Sequence, residues 1–440
     1  MREIRTHGLK RGPPHRKNRG GRLYSTPIEF RLLDELGGWD MVGVDKFVKC
    51  LQGAGVGFFT GVPDSLLKSF CAYVTDICGD NHVIAANEGG AVGLAAGHYL
   101  ATGKPALVYM QNSGQGNAVN PLCSLADPDV FSIPMVLLVG WRGEPGVKDE
   151  SQHVKQGKVT ISLFETLGIP TEILPDDETA SLELTCRMID RCRFESRPVA
   201  LIVRKGLFAE YKLQNKEADI SDVKREDVIE GILRALPKNA VVVSTTGMIS
   251  REVYETRERL GQGHESDFLT VGSMGHASMI ALGIAKAQPE RKVYCLDGDG
   301  ASIMQMGNMA IVGQSGCGNL THIVLNNSAH DSVGGQPTIG GKIDFEKIAE
   351  ELGYNVLQSP QDQFVGGRTL GVDEIASGME WLVTMEEQSE QHKPAYFDEF
   401  PKKPNFILFK VAKGARKDLG RPKEPPQVNK KLYMETLGVM

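Results

Sequence analysis

Short apolar runs alternate along the chain with longer stretches in which apolar residues recur at helical spacing. A strand that is buried on both faces is a continuous apolar run, so each short run predicts a buried strand. The runs occupy residues 56–59, 82–86, 106–110, 135–139, 199–203, 240–243, 293–296, 322–325 and 406–411. Strands that alternate with helices in this way predict an α/β fold with two doubly wound parallel-sheet domains.

Residues 205–225 interrupt the alternation, because they are charged and poor in branched apolar residues. A segment of this composition is typical of a linker between domains. We therefore predict a basic leader (1–38), a first domain (39–205), a linker (206–224), a second domain (225–414) and a C-terminal tail (415–440). The linker leaves no room for a middle domain.

Positive charge is concentrated at the amino terminus. Residues 1–23 contain eight Lys or Arg residues and one acid, Glu3, although the whole chain has a formal net charge of -6. Three interpretations of this leader stay open: an organellar presequence for mitochondrial import, a nucleic-acid-binding arm, and a disordered tail or an upstream start codon. No segment other than this leader suggests nucleic-acid binding, so we expect no nucleic-acid partner.

The cysteines and the longest apolar runs bear on the compartment. The eight cysteines form no C-x-x-C pair, and several, such as Cys295, lie inside apolar runs. This usage is typical of small buried residues in a reducing compartment. No apolar stretch approaches the ~20 residues needed to cross a bilayer. We therefore expect a cytoplasmic protein with no membrane partner.

Two strand ends of the second domain indicate a ligand site. The run 293–296 leads into DGDGAS (297–302), and the run 322–325 ends at NNSA (326–329). Carboxyl ends of parallel strands meet at one sheet edge, where a glycine turn can bind a phosphate group. A diphosphate needs a hard cation with oxygen ligands, such as Mg²⁺. The pattern predicts a magnesium and diphosphate site, followed by a helix over residues 304–312.

A glutamate and another glycine turn add two candidates. Glu88 follows the run 82–86 and begins a helix of small residues, whose glycines and alanines let a ring system or a second subunit approach closely. Its alternative role is an electrostatic one at the helix N-terminus. The segment VGSMGHAS (271–278) is a small-residue turn before a helix over residues 279–287. The alternative role of Met274 in this turn is core packing.

These segments resemble the signature of the thiamine-diphosphate-dependent 2-keto-acid decarboxylase superfamily. The resemblance implies that Asp299, the Asn327 side chain and the backbone carbonyl of Ala329 bind Mg²⁺, although glycine is more usual at the position of Ala329. It also implies that Glu88 is the catalytic residue that activates the aminopyrimidine ring of the cofactor. The other residues implied in cofactor binding are Gly272, Met274, Gly298, Gly300 and Ala301.

The same resemblance assigns the two domains and their assembly. The first domain would bind the pyrimidine ring of the cofactor, and the second would bind its diphosphate and Mg²⁺. In this superfamily the glutamate and the metal come from different subunits. The resemblance therefore implies a homodimer or higher homo-oligomer with active sites at subunit interfaces.

Further segments are similar to the phosphonopyruvate decarboxylase family, which has this two-domain plan. They are GVPDSLL (61–67), QNSGQGNAVNP (111–121), QHVKQG (152–157), NNSAHDSVGGQPT (326–338) and ARKDLGRP (415–422). This resemblance implies decarboxylation of 3-phosphonopyruvate to phosphonoacetaldehyde and CO₂, with the cationic ring of the cofactor as electron sink. It places the reaction in phosphonate biosynthesis of the 2-aminoethylphosphonate type.

The implied substrate is a small anionic 2-keto acid, so cations or N–H donors must line its pocket. The candidate substrate residues are Asn112, His153, Lys155 and His330, each of which can also be a solvated loop residue. Asp64 is a second candidate catalytic residue that handles protons, and its alternative role is to begin a helix. Two other functions stay open: decarboxylation of sulfopyruvate or another small 2-keto acid, and a non-catalytic regulatory homologue of the fold.

Overall fold

Parallel strands form two six-stranded sheets in the computed structural model, which describes residues 41–363, 370–391 and 402–439. The basic leader predicted for residues 1–38 lies outside the described residues. The predicted fold class, with two doubly wound parallel sheets, is confirmed. No helix among the described residues is long and apolar enough to cross a membrane.

The first sheet has the strand order β2-β1-β3-β4-β6-β5. Its central strands β4 and β6 are buried along their whole length, because both of their faces are apolar. The strands are β1 (Phe59–Gly61), β2 (His82–Ile84), β3 (Leu107–Gln111), β4 (Val136–Gly140), β5 (Thr171–Ile173) and β6 (Val199–Val203). The helices are α1 (Val44–Gly53), α2 (Lys68–Ile77), α3 (Glu88–Thr102), α4 (Gln115–Pro121), α5 (Ser151–Thr166) and α6 (Glu178–Glu195).

The helices of this half cover the two faces of the sheet. One apolar cluster joins α1, α2 and α6 to one face, and a second cluster joins α3, α4 and α5 to the other face. The small residues of α3 permit this close packing, since Ala91, Ala95 and Ala96 are buried against the sheet. Asn87 caps α3 by accepting a hydrogen bond from the Gly90 backbone N–H at 2.8 Å.

The second sheet has the strand order β13-β14-β10-β9-β7-β8. The strands are β7 (Val241–Ser244), β8 (Asp267–Leu269), β9 (Val293–Gly298), β10 (Leu320–Asn326), β13 (Asn355–Val356) and β14 (Asn405–Lys410), with a small antiparallel pair β11 (Ala329–His330) and β12 (Gln336–Pro337). The helices are α7 (Arg225–Ala235), α8 (Met248–Leu260), α9 (Ala277–Ala287), α10 (Asp299–Met304), α11 (Gly307–Gly313), α12 (Phe345–Glu351), α13 (Pro360–Gln363), α14 (Val372–Gln391) and α15 (Pro426–Thr436).

The tail helix α15 protects the edge of the second sheet. Asn429 accepts a hydrogen bond from the Leu269 backbone N–H at 3.2 Å and donates one to the Asp267 carbonyl at 2.8 Å. These bonds occupy polar groups of the edge strand β8 that would otherwise be open to pairing with another chain. The two sheets are joined by residues 204–224, in which the one ladder contact is an isolated bridge between Phe208 and Val42.

The structure differs from the sequence predictions at several elements. The helix predicted over residues 304–312 corresponds to α11 (Gly307–Gly313), but its predicted start is wrong, because a separate helix, α10, begins at Asp299 and ends at Met304. Gln305 leaves the helical conformation between them, with φ -130° and ψ 47°. The first strand begins at Phe59 rather than at residue 56. The short strands β5, β8 and β13 were not predicted, because none is a long apolar run.

Candidate active site

The two predicted strand ends of the second domain lie side by side. Leu325 of β10 pairs with Gly298 of β9, so the residues that follow both strands emerge at one edge of the sheet. Asp299, Asn326 and Asn327 are all buried there. The parallel register thus brings a carboxylate and two carboxamides together.

The carboxylate of Asp299 is buried, which is unusual for a charged group. Thr338 donates a hydrogen bond to its Oδ2 atom. Burial raises the pKa of Asp299 from 3.8 to about 6, although hydrogen bonds from Thr338 and from the Asn327 and Gly300 backbone oppose the rise. The fold therefore holds this acid in a site that disfavours its own negative charge.

The carboxamide of Asn327 is fixed by a chain of polar contacts. Its Nδ2 atom donates to Asp331 at 2.6 Å, and its Oδ1 atom accepts from the Ala329 backbone N–H at 3.0 Å. Asp331 also accepts from Arg225 at 3.1 Å and from the Gly414 backbone N–H at 2.8 Å. Asp331 thereby determines which end of the Asn327 carboxamide is an oxygen.

The donor set at this edge fits Mg²⁺. The carboxylate of Asp299, the carboxamide oxygen of Asn327 and the carbonyl of Ala329 are the hard oxygen ligands that Mg²⁺ prefers. A divalent cation would also offset the unfavourable burial of the Asp299 charge. Gly340 crowds this cluster, since a Cβ atom there would lie 2.5 Å from Asp299 Oδ2 and 2.8 Å from Asn326 Oδ1. A side chain at position 340 would therefore collide with both Asp299 and Asn326.

The turn that carries Gly272 and Met274 borders the same cluster. Gly272 has φ 74° and Ser273 has φ 51°, so two consecutive residues are left-handed. The Gly272 N–H donates to Thr246 Oγ1 at 3.0 Å, which ties the turn to the end of β7. A Cβ atom on Gly300 would lie 3.3 Å from the His330 ring and 3.5 Å from the Met274 methyl group. Gly300, Met274 and His330 are therefore neighbours.

Ala301 packs in the same place. Ala301 is buried, and its carbonyl would lie 3.1 Å from a Cβ atom on Gly275.

The left-handed backbone of Ser273 has a counterpart at Ser328, which has φ 56° between Asn327 and Ala329. Left-handed non-glycine residues cost of order 1–3 kcal/mol and concentrate at functional sites.

Glu88 lies at the amino end of α3 and is buried. Asn117 donates a hydrogen bond to its Oε2 atom at 2.8 Å. A Cβ atom on Gly114 would collide with the Glu88 carboxylate, so a glycine is required on that side. The Glu88 side chain is thus held in one orientation by its own domain.

The two halves of the chain meet at a junction beside these residues. Asn87 donates through Nδ2 to the carbonyl of Met304, the last residue of α10, at 3.3 Å. A Cβ atom on Gly272 would lie 3.5 Å from Cβ of Gln152. Gln336 of β12 reaches the carbonyl of Lys68 at the start of α2, at 3.5 Å. The three contacts define a surface that we call the domain junction.

Asp64 lies in the first domain, shortly before Lys68 of the domain junction. It is fully buried, and its Oδ2 atom accepts from the Leu66 backbone N–H at 3.0 Å. Burial raises the pKa of Asp64 to about 6, although the charge of Arg142 opposes the rise. Its Oδ1 atom has no hydrogen-bond partner among the described residues. A carboxyl group with a pKa near neutrality is suited to proton transfer.

Arg142 organises the loops around Asp64. It forms a bidentate pair with Asp149 at 2.8 and 2.5 Å and donates to Ser65 Oγ at 2.8 Å. The adjacent imidazole of His153 is buried, and burial together with the charge of Arg142 lowers its pKa to about 4. His153 is therefore a neutral N–H donor at pH 7 rather than a cation. Its Nδ1 atom has no partner within the described chain.

The other substrate candidates fall in different environments. Burial lowers the pKa of His330 to about 4, so it too is neutral. Lys155 is exposed on α5. Asn112 uses its carboxamide inside the first domain, because Nδ2 donates to the Arg142 carbonyl at 2.7 Å and to Thr160 at 2.8 Å. The structure thus places His153 next to Gln152 and His330 opposite Gln336, two residues of the domain junction, whereas Asn112 bonds within the first domain.

Among the residues of the site that were not predicted are Thr338, Asp331, Arg142 and Gln152. Arg142 follows the predicted strand 135–139 closely, and an arginine at a strand end was the available signal. Thr338 and Asp331 lie inside the motif 326–338, but no spacing rule shows that their side chains turn back towards Asp299 and Asn327. Gln152 contacts the second domain, which sequence spacing cannot show.

Two family profiles match the chain. The profile described as "Thiamine pyrophosphate enzyme, N-terminal TPP binding domain" matches residues 41–163, and "Thiamine pyrophosphate enzyme, C-terminal TPP binding domain" matches residues 245–366. Together with the two sheets and the oxygen-rich strand ends, the matches define a thiamine-diphosphate-dependent enzyme. Thiamine diphosphate, the expected organic cofactor, is confirmed.

Curated relatives define the family more closely. The phosphonopyruvate decarboxylase of Streptomyces viridochromogenes is 35% identical over 337 residues, which are 72% of this chain and 82% of the relative. That of Streptomyces hygroscopicus is 34% identical over 338 residues, which are 72% of this chain and 81% of the relative. The chain belongs to the phosphonopyruvate decarboxylase family. The sulfopyruvate decarboxylase of Methanosarcina acetivorans is 28% identical over 332 residues, which are 70% of this chain and 82% of the relative.

Proposed function

We propose that this protein decarboxylates 3-phosphonopyruvate to phosphonoacetaldehyde and CO₂ with thiamine diphosphate and Mg²⁺. One observation carries the proposal: the amino end of the helix that begins at Glu88 contacts the helix that begins at Asp299. Asn87, next to Glu88, contacts the last residue of the helix that Asp299 begins. The names of the Streptomyces relatives support the substrate. A role in phosphonate biosynthesis follows from the substrate.

The residues have distinct roles in this proposal. When bound, thiamine diphosphate supplies a nucleophilic carbon and a cationic ring that accepts the electron pair released with CO₂. Asp299, Asn327 and the Ala329 carbonyl would hold Mg²⁺, and Gly298, Gly300 and Ala301 would line the diphosphate site. Glu88 would hold a proton for the aminopyrimidine ring, and Gly272 and Met274 would position that ring.

Substrate binding and proton transfer fall to the residues at the domain junction. His153 and His330 offer neutral N–H donors to the carboxylate and phosphonate groups. The raised pKa of Asp64, about 6, suits it to take up a proton and deliver it after CO₂ leaves. Asn112 keeps the Arg142 loop in place and thereby supports this pocket. The exposed position of Lys155 on α5 favours a role at the pocket mouth over a role at its base.

An assay of aldehyde release tests the substrate. Purified protein with Mg²⁺ and thiamine diphosphate is given phosphonopyruvate, sulfopyruvate or pyruvate, and kcat/KM is compared. Preference for phosphonopyruvate supports the proposal. Preference for sulfopyruvate would indicate the activity named for the Methanosarcina acetivorans relative. Absence of turnover on all three acids would indicate a non-catalytic homologue.

Glu88→Gln tests the catalytic assignment. General acid–base groups contribute about 10²- to 10⁴-fold, so we expect kcat to fall by that range while the fold is retained. Glu178→Gln is a matched control, because Glu178 also begins a helix behind a capping side chain, Asp177, on the opposite face of the same sheet. Unchanged kcat in Glu88→Gln would contradict the mechanism.

We further propose that the active protein is a homodimer or higher homo-oligomer with sites at subunit interfaces. The described chain pairs the two halves within one chain, and exchange of the same surfaces between two copies gives an interfacial site. Helix α3 supports close approach of a second copy. Its Leu94 and Leu100 are exposed, and added Cβ atoms on Gly93 and Gly97 would meet open space.

Co-expression of Glu88→Gln and Asp299→Asn chains tests this assembly. If one site takes its glutamate and its metal ligand from different chains, mixed dimers regain one intact site, and the preparation recovers roughly a quarter of wild-type activity. Light scattering gives the mass of the assembly. A monomeric mass, or no recovery in a confirmed mixed dimer, contradicts interfacial sites.

Domain limits and compartment are proposals of the same kind. We propose a pyrimidine-binding domain over residues 39–205 and a diphosphate-binding domain over residues 225–414, which limited proteolysis in the linker 206–224 can check. We propose a cytoplasmic location, supported by eight cysteines that are all free thiols. Fractionation of source cells tests this, and recovery in an organelle would instead support the presequence interpretation of the leader.

A further inference from the structure

Two thiols of the first domain meet between helices α1 and α6. The Sγ atoms of Cys50 and Cys186 lie 3.1 Å apart, although the residues are 136 positions apart in the chain. That distance exceeds a disulfide bond length of about 2.05 Å by only roughly 1 Å. Both residues are half-buried, so a small reagent can reach them. The pair is therefore within reach of covalent bond formation.

The two helices are fixed on both sides of this contact. Before it, Glu178 accepts from the Gly43 backbone N–H at 2.9 Å and pairs with Lys46 at 2.5 Å. Beyond it, Arg193 donates to the Ala54 carbonyl. The order of these contacts shows that α1 and α6 run in parallel with the thiols midway. The thiol contact is a stable feature of the packing.

The electrostatics of the pair favour reaction. The hydrogen bond between the two sulfurs lowers the pKa of Cys186 and raises that of Cys50. A lowered pKa increases the thiolate fraction at neutral pH, and the thiolate is the nucleophile. By contrast, burial raises the pKa of Cys71, Cys78 and Cys192.

We propose that Cys50 and Cys186 are a reversible oxidation site, at which a peroxide or a small disulfide converts two thiols into an intramolecular disulfide. With hydrogen peroxide, the Cys186 thiolate attacks one oxygen, the O–O bond breaks, and a sulfenic acid and hydroxide form. The Cys50 sulfur then displaces hydroxide from the Cys186 sulfur, so an S–S bond forms and the S–O bond breaks. The two thiols lose two electrons and two protons, and the peroxide becomes two waters.

The position of the pair predicts its consequence. Helices α1 and α6 pack on the sheet face opposite to α3, which carries Glu88. Oxidation should therefore leave the active site intact. It should stabilise the first domain, because a crosslink over a long loop removes entropy from the unfolded chain. We expect the apparent Tm of the first domain to rise by several degrees.

Peptide mapping tests the site. The full-length protein is treated with hydrogen peroxide, remaining thiols are alkylated, and the digest is analysed without reduction. We expect a peptide pair joined through Cys50 and Cys186 with the mass of two hydrogens lost, which dithiothreitol separates, together with the rise in Tm. Cys123→Ser serves as the control background, because Cys123 is exposed and can react on its own.

Cys186→Ser and Cys50→Ser should each abolish the joined peptide and the shift in Tm while leaving unoxidised Tm and kcat unchanged. Full alkylation of both thiols after oxidation would overturn the proposal. Conversion of Cys186 to sulfinic acid without crosslinking would also overturn it, because that outcome shows that Cys50 does not reach the oxidised sulfur.

Discussion

Asp299→Asn should make the cofactor-free protein more stable while it removes a ligand of the proposed metal site. Burial raises the pKa of Asp299 from 3.8 to about 6 in the folded chain. A raised pKa means that ionisation at neutral pH costs folding free energy, at about 1.4 kcal/mol for each pKa unit. The rise from 3.8 to about 6 therefore corresponds to a cost of about 3 kcal/mol at pH 8.

The sign of the pH dependence follows from the two pKa values. Stability contributed by the protonated Asp299 is complete below the unfolded value of 3.8 and is lost as the pH rises through about 6. The stabilising effect of Asp299→Asn should thus be about 3 kcal/mol at about pH 8 and about 1 kcal/mol at about pH 4.5. Effects of the substitution that do not involve ionisation are the same at both pH values.

This difference is measured by urea unfolding of the cofactor-free wild-type and variant proteins at the two pH values. A signal from the second domain reports the unfolding. The control is Asp344→Asn, because Asp344 is a half-exposed cap of α12. We expect about 2 kcal/mol more stabilisation from Asp299→Asn at the higher pH. Equal stabilisation at both pH values would refute the argument that burial disfavours the ionised form of Asp299.

Three other substitutions test the remaining site geometry. Asp331→Asn should weaken Mg²⁺ binding by about 10- to 100-fold, because Asp331 orients Asn327, and titration of cofactor binding against Mg²⁺ measures this. Asp64→Asn should remove an inflection near pH 6 from the pH profile of kcat, since burial raises the pKa of Asp64 to about 6. Gly114→Ala should reduce kcat about as strongly as Glu88→Gln, because the added methyl group displaces the carboxylate of Glu88; normal kcat would show that Glu88 has room to move.

Sequence patterns predicted the parts of the site that lie at strand ends. The apolar runs before Asp299 and Asn327 are central strands, and parallel pairing leaves little freedom in where their ends meet. The edge strands β5 and β8 were missed because one is half-exposed and the other contains the buried Asp267. Neither therefore has the continuous apolar character of a central strand.

Contacts between distant loops could not be predicted in this way. Arg142 meets Ser65 and Asp149 because three loops converge above the first sheet. The thiols of Cys50 and Cys186 meet because two helices pack on one sheet face. Such contacts depend on the three-dimensional path of each loop, and residue spacing within one segment contains no information about that path.

The domain junction gathers polar atoms that the folded chain itself leaves unpaired. Asp64 Oδ1, Gln152 Oε1, His153 Nδ1 and Gln336 Oε1 are buried without hydrogen-bond partners among the described residues. An unsatisfied buried polar group costs about 1–3 kcal/mol, so these four atoms lower the stability of the free protein. Three of the atoms belong to the first domain and one to the second, which is the distribution expected if a bound molecule bridges both. We propose that bound substrate and cofactor pair with these four atoms, which would offset their cost to the free protein.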